Sequence, residues 1–460
     1  MLQSVEYEPI EYLKWYFRTS DFSKVIKRRD LVFSRPARML LLALRLGLIA
    51  FISIAFFMIY LGRSQRILGG VYYGLATILI MPVALAVLVV IPLFLGKWLL
   101  VGPKNRKLIK KSEQIFAKHK AVKIAVAGSY GKTTMKEMLA TVLSEGKNVA
   151  ATPANKNVAI SHVIFANKLT GKEDILIIEY GEGAPKDVQK FAQTTHPTHG
   201  IITGLAPAHL DRYKTIHAAG EDIFELANYL DGNDVFVNAE SSSLKEFIKP
   251  AYNKYDSKKV MGWAITDIDI QPHQTSFIME KGRDIMKLSS GILGKHQVGP
   301  LALVAALARD LGLTKKQVES GIAKTVPFEH RMEPRNMGGA WIIDDTYNGN
   351  IEGIRAGLEL LKTVEGKQKI YVTPGLVDQG KMTKPVHIEM GELIAKSNPT
   401  KVVLMKNSVT EYIQKGMKDG GYEGETEIVT DPLYFYTNLT HFIAAGDIVL
   451  MQNDWTDNYQ

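Results

Sequence analysis

The 460-residue sequence has no cysteine. That excludes disulfides, thiolate metal sites and a cysteine nucleophile, and it fits a reducing compartment for the soluble part. Repeats and low-complexity tracts are missing too, so the length reads as two or three ordinary domains. Charge is missing from two long stretches. Residues 46–61 and 69–96 contain no Asp, Glu, Lys or Arg. About 20 helical residues cross a hydrocarbon core of roughly 30 Å, so each stretch can span one. Residues 40–44 extend the first stretch across Arg45, which lies near an end and can snorkel. Pro82 and Pro92 are expected to kink the second. Only residues 63–68 separate the two, which predicts a hairpin over 39–103 with helices at about 40–62 and 69–96. A signal peptide is not expected, because there are two spans and the first begins near residue 40.

What charge there is sits beside those stretches. The net charge is +9. Residues 1–38 mix Trp15, Tyr16 and Phe17 with Lys27, Arg28 and Arg29, and the connector at 104–121 carries Lys104, Arg106, Lys107, Lys110 and Lys111. Basic clusters on both flanks read as membrane-facing charge, not as a nucleic-acid surface. They place both outer ends, and everything after the connector, in the cytoplasm. The expected location is the cytoplasmic membrane, spanned twice.

Residues 122–134 read Val-Lys-Ile-Ala-Val-Ala-Gly-Ser-Tyr-Gly-Lys-Thr-Thr. A short apolar, β-branched run precedes a glycine loop, and helical spacing follows from Met135. Gly128 and Gly131 let backbone N–H groups approach an anion, and the helix N-terminus adds partial positive charge. Lys132 can neutralise nucleotide phosphates, and the Thr133 hydroxyl can ligate Mg²⁺. The loop is shorter than G-x-x-x-x-G-K-[ST], with Val126 where the first glycine of that form would stand.

From 122 to 325 strand-like and helix-like segments alternate, which predicts a central P-loop-type α/β domain with a mostly parallel sheet. Residues 326–335 read as a hinge. The stretch 326–460 continues as a second, Rossmann-like α/β unit. Glu179 ends an apolar strand, where a carboxylate can reach a metal held by Thr133. His209 closes the next strand in the string His-Leu-Asp-Arg-Tyr. Alone, a histidine near a strand end is more often structural than a ligand.

Seven strings in order carry a resemblance: 128–134, Thr-Pro-Ala-Asn-Lys-Asn (152–157), Ile-Glu-Tyr-Gly (178–181), His-Leu-Asp-Arg-Tyr (209–213), Gly-Lys-His (294–296), His-Arg-Met-Glu (330–333) and Asp-Asp-Thr-Tyr-Asn-Gly-Asn (344–350). The chain resembles the Mur ligase family of ATP-dependent amide ligases, over roughly 118–452. The last string is most similar to the MurF branch, which adds D-Ala-D-Ala to a UDP-MurNAc-tripeptide. The resemblance implies an acid–amino-acid ligase of peptidoglycan precursor synthesis, working through an acyl phosphate with ATP and Mg²⁺. Its implied partners are a muramoyl-peptide acceptor, UDP- or lipid-linked, and an amino acid or dipeptide amine. It implies that Gly128, Ser129, Gly131, Lys132, Thr133, Thr134 and Asn155 surround the nucleotide. Thr133 and Glu179 would hold one metal and His209 a second, with His296 near adenine. Arg331, Asp345, Tyr347, Asn348 and Asn350 would reach the nucleotide from the C-terminal side. Lys132, His209, Arg331 and Asp345 are the implied catalytic set.

The chain departs from the family in four places. Gly220 stands where many members carry a carbamylated lysine, with Glu221 or Asp222 as candidate substitutes for that metal ligand. Gln297 replaces an asparagine. Gln452-Asn453-Asp454 replaces a Lys-Gly-Ser string at the amine end. The two spans occupy the place of a UDP-sugar-binding domain, and the short connector leaves no room for one. Either the acceptor is held at the bilayer or the hairpin anchors the enzyme near other wall-building enzymes. A ligase of the poly-γ-glutamate synthase type and a non-catalytic nucleotide-binding scaffold are the alternatives.

Overall fold

In the computed structural model, which describes residues 7–19, 22, 33–64, 68–153, 157–206, 210–347, 349–376 and 379–453, the uncharged stretches are helical. The chain forms two units, Met1–Leu108 and Ile109–Gln460. The first holds α1 (Pro9–Arg18), α2 (Arg35–Ser64), α3 (Leu68–Leu88) and α4 (Val90–Gly96). Helices α2 and α3 lie antiparallel, with Gly62 against Gly70, Ile59 against Gly74 and Gly47 against Leu85. A Cβ on Gly62 would stand 2.7 Å from the backbone nitrogen of Val71, so the two backbones touch there. Such close approach through small residues is how helices associate where no hydrophobic force acts between them. Elsewhere the pair is uncovered: Phe56 is 64% exposed and Leu79 is 81% exposed. Both helical runs are long and apolar enough to cross a membrane. The expected kink in the second is a break at Val89, just before Pro92 in the first turn of α4. A first-turn proline forfeits no helical hydrogen bond, whereas the turn before it is blocked by the ring. Pro82 stays inside α3. Tyr12 of α1 packs on Val89 and Val90, and Glu8 pairs with Lys97 at 2.7 Å.

Helix α5 (Gly102–Lys118) leads to the second unit, whose first sheet combines β1 (Val122–Ala127), β2 (Val149–Ala151), β3 (Ile175–Glu179), β4 (His199–Ile202), β5 (Val235–Asn238) and β6 (Asn253–Tyr255) in parallel. An antiparallel extension adds β7 (Lys259–Val260), β8 (Trp263–Gln271), β9 (Gln274–Lys281) and β10 (Asp284–Ser290). The strand order is β10-β9-β8-β7-β6-β5-β4-β1-β3-β2. Strand alternation splits β1 between two cores. Ile124 and Val126 pack against α6 (Lys132–Leu143), α11 (Val298–Asp310) and α12 (Lys315–Ala323). Ala125 and Ala127 face the cluster built by α5, α7 (Ala159–Ala166), α8 (Asp187–Thr195) and α10 (Ile216–Tyr229). A short helix, α9 (Leu210–Tyr213), precedes α10.

The second sheet has the order β11-β12-β16-β13-β14-β15. Strand β11 (Glu333–Met337) is an antiparallel edge, and β12 (Ala340–Asp345), β13 (Lys369–Thr373), β14 (Lys401–Met405), β15 (Glu425–Val429) and β16 (Ile448–Gln452) are parallel. Helices α13 (Ile351–Thr363), α14 (Thr383–Ser397) and α15 (Thr410–Asp419) cover one face, and α16 (Pro432–Thr437) covers the other. Residues 333–337, expected partly as hinge, are thus edge strand. Strand β12 also runs on to Asp345, which puts both aspartates at its carboxyl end.

Candidate nucleotide site

The site begins where β1 meets α6. Gly131 is left-handed at φ 75° and Gly128 has φ 140°, conformations open to glycine. A side chain on Gly128 would also strike Thr203 and stand 2.9 Å from the Gly204 carbonyl oxygen. Ser129 N–H donates to that oxygen at 2.8 Å, which pins the loop to the end of β4. The Lys132 ammonium folds back over the loop, donating to the Gly128 carbonyl and, at 2.7 Å, to Glu182 Oε2. Thr134 follows, half-buried in the first turn of α6.

Glu179, 1% exposed, is the hub. Its carboxylate accepts from Thr133 Oγ1 at 3.1 Å and from Asn157 Nδ2 at 3.1 Å, and Lys136 Nζ lies 3.4 Å away. Lys136 is itself fully buried, one helical turn after Lys132. A hydroxyl and a carboxylate side by side are the hard-oxygen donors that Mg²⁺ takes, so Thr133 and Glu179 fit one such ion. The second expected metal position does not fit the same way. Gly220 lies buried in α10, where a Cβ would stand 2.5 Å from Phe247 Cε2 and 3.1 Å from Leu205 Cδ2, so the ring fills the space a longer side chain needs. Glu221 is exposed, 3.8 Å from His217 Nδ1. Asp222 is turned to Tyr213, accepting from its hydroxyl at 2.7 Å, and burial pushes its carboxyl up. Asn155, His209 and Asn348 lie outside the described residues.

Arg212 Nη1 donates to the Gly183 carbonyl at 3.1 Å, and the Tyr213 hydroxyl lies 3.1 Å from the Ala184 carbonyl. Together they brace the loop that carries Glu182. His296 is on a single turn before α11, and burial pushes its imidazole down to about 4, so it is neutral. From the second sheet, the Arg331 guanidinium sits 4.5 Å above the Tyr347 ring. Asp345 accepts from Met332 N–H at 3.2 Å and from Gln452 Nε2 at 2.8 Å. Burial pushes its carboxyl up to about 7. Among the described residues no ion pair joins Arg331 to Asp345. Asn350 caps α13, its Oδ1 accepting from Gly353 N–H at 2.9 Å. Burial pushes the Tyr130 hydroxyl up, and the Glu352 charge adds to it, so the phosphate loop and α13 feel each other. Ser129 Oγ and Arg331 Nε are buried without a partner among the described residues, as expected of groups kept for a ligand.

Residues 126–308 match the Mur ligase middle domain. The UDP-N-acetylmuramoyl-tripeptide--D-alanyl-D-alanine ligase of Escherichia coli (strain K12) is 24% identical over 280 residues, 58% of this chain and 61% of that protein. The Synechocystis ligase of the same name is 27% identical over 331 residues, 72% and 71%. Over 126–308, then, the chain carries a Mur ligase middle domain. It spans about three fifths of the Escherichia coli protein's length. Its fold is that of MurF: the Acinetobacter baumannii crystal structure superposes with TM-score 0.66 at 19% identity, covering 76% of this chain and 77% of that one. MurF from Thermotoga maritima in complex with ADP gives TM-score 0.65 at 22% identity, covering 76% and 80%.

Beyond the expected residues, the site holds Glu182, Lys136 and the amide pair Gln452–Asn453. Gln452 is 1% exposed and bridges Asp345, the Gly353 carbonyl at 3.0 Å and the Tyr371 hydroxyl at 3.1 Å. Sequence reasoning singled out neither Glu182 nor Lys136. The helical spacing of Lys132 and Lys136 was the one available signal.

Proposed function

We propose that this chain is an ATP-dependent amide ligase of peptidoglycan precursor synthesis. It joins D-Ala-D-Ala, or a similar amine, to the peptide carboxylate of a muramoyl acceptor. The observation that carries the reading is the Thr133–Glu179 oxygen pair beside a lysine-bearing glycine loop, on a sheet framework that matches MurF.

An acceptor carboxylate oxygen attacks the γ-phosphorus of ATP. The bond to the β–γ bridging oxygen breaks, and ADP leaves with that electron pair. The amine then attacks the acyl carbon, loses a proton, and phosphate departs as the amide forms. The barrier is chiefly electrostatic, an anion approaching an anion. Lys132 exchanges Glu182 for the nucleotide's phosphates. Thr133 and Glu179 would hold Mg²⁺, which supplies charge neutralisation at the phosphates. The backbone N–H groups of the loop orient the phosphate chain. Arg331, free at Nε, reaches the nucleotide from the second sheet, and Asp345 positions the segment that carries it.

The two exposed apolar helices are the membrane anchor in this reading, with the basic flanks and both sheets on the cytoplasmic side. The test is ADP release measured with both substrates, followed by product mass. Release that requires a muramoyl-tripeptide and D-Ala-D-Ala together, and is lost in Lys132→Ala, supports the ligase. A glutamate adduct would assign the poly-γ-glutamate type instead. Nucleotide binding without turnover would assign a scaffold.

A further inference from the structure

Along α8, from Asp187 to His196, runs a groove of about 790 Å³ that the mechanism does not use. Its opposite walls are the start of α7, at Val158 and Ala159, and helix α5, at Ile109 and Glu113. That volume suits a ligand of substrate size. One end adjoins the nucleotide site. Val158 follows Asn157, which bonds Glu179, and a Cβ on Gly183 would stand 3.4 Å from Asp187 Oδ2, one residue beyond Glu182.

The groove's buried wall holds an unused acceptor. His162 is 0% exposed, and its Nε2 lies 2.9 Å from the Glu179 carbonyl oxygen. A carbonyl only accepts, so Nε2 carries the proton and Nδ1 is a lone pair, which has no partner among the described residues. Phe191, edge-on to His162 at 4.9 Å, and Tyr229 supply ring surface.

The charges select the ligand. Lys190 is engaged with Asp187 at 3.5 Å, and Glu113 adds a second carboxylate. A diphosphate would meet net negative charge. An uncharged sugar carrying hydroxyl and N-acetyl groups would donate to the carboxylates and to Nδ1, and would lay its apolar face on the rings. We infer that this groove holds the N-acetylated sugar of the acceptor, with the peptide leading past Asn157 and Gly183 to the nucleotide and the pyrophosphate outside. This rests on the ligase reading above, and it assigns the acceptor a site on the central sheet's own helices.

The experiment uses the full chain in detergent, with Thr194→Trp and Gln193→Trp, partly or fully exposed positions where a large ring fills the groove without touching a core. Calorimetry is done with carrier-free N-acetylmuramoyl-tripeptide, the UDP-linked form, a lipid-linked form and ADP. All three acceptor forms are expected to bind the wild type and to weaken at least tenfold in Thr194→Trp. Affinity for ADP is expected to change less than twofold. Equal weakening across the three forms places the carrier outside the groove. Acceptor affinities unchanged in both variants, or a carrier-free form that fails to bind while the UDP-linked form binds both variants equally, overturn the proposal. Acceptor binding lost in the variants, from a wild type that releases no ADP, would keep the groove and refute the ligase.

Discussion

Lys132 and Glu182 make a buried contact that nucleotide binding must break. The carboxylate is 2.7 Å from the ammonium, and both side chains are largely covered. A phosphate arriving at the loop therefore competes with an ion pair already formed, and charge-assisted bonds of this kind are strong. Glu182→Gln removes the competitor but keeps the shape. ADP is expected to bind about five- to tenfold tighter in the variant, roughly 1–1.4 kcal/mol. Titration calorimetry reads it directly, and weaker or equal binding would show that Glu182 does not hold the lysine in reserve. Asp345 gives a second prediction, in pH. Burial raises its carboxyl from 3.8 to about 7. A raised carboxyl stabilises the fold fully below pH 4, and that contribution is lost as pH climbs to 7 and the unfolded chain ionises first. Asp345→Asn cannot ionise. Its melting temperature is expected to fall less than the wild type's between pH 5 and 8, the difference being about 2–4 °C per kcal/mol of penalty. Parallel melting profiles would place a polar or charged partner beside this carboxyl that the surrounding hydrogen bonds do not supply. Neither residue's role was legible in the sequence in full. Asp345 stood in a recognisable string, but its burial depends on Gln452 arriving from the last strand. Glu182 acquires meaning only from a lysine 50 positions earlier.

Among the elements, α10 shows how packing overrides a family pattern. Glycine in a helix interior costs about 1 kcal/mol against alanine, so Gly220→Ala should stabilise on propensity alone. Phe247 prevents that: its ring occupies the space where the methyl would go. We expect Gly220→Ala to destabilise by about 1–3 kcal/mol, the usual cost of overpacking. The pair Gly220→Ala with Phe247→Ala should recover part of the loss in a urea-denaturation double-mutant cycle. Additive losses would mean that the ring is not what excludes the side chain. Bicarbonate is not expected to stimulate the wild type, because the helix offers no lysine to carbamylate. The elements that sequence reasoning recovered share a physical trait. Strands β1, β3, β13 and β14 are buried on both faces and read as mostly apolar runs, broken in β1 only by Lys123. The edge strands β11, Glu-Pro-Arg-Asn-Met, and β15, Glu-Thr-Glu-Ile-Val, are polar because they are exposed, and hydrophobic patterning has nothing to register there. The glycine loop was legible because a phosphate cradle needs its residues consecutively. The groove along α8 was not, because α5, α7 and α8 contribute to it from positions scattered over the sequence.

For the whole molecule, the division into units makes the apolar hairpin separable from the two sheets. The four large apolar clusters and every described site residue belong to Ile109–Gln460, whereas Tyr12, Val89 and Val90 form a small cluster in the first unit. A chain beginning at residue 102 keeps α5, and with it Phe116 and the cluster it completes. It is therefore expected to fold, to remain in the supernatant after ultracentrifugation, and to bind ADP within twofold of the full chain. The full chain is expected to sediment with membranes and to resist extraction by carbonate. The comparison that decides what the hairpin does is turnover with two acceptors. An anchor alone leaves kcat/KM for a UDP-linked acceptor unchanged in the shortened chain, and leaves turnover of a lipid-linked acceptor in vesicles unchanged as well. If the hairpin concentrates a membrane-borne substrate at the site, only the second activity falls. A short tether confines enzyme and lipid to one surface and raises their effective concentration toward millimolar, so the fall should be 10²-fold or more. Loss of ADP binding in the shortened chain would instead show that the two units are one folding entity.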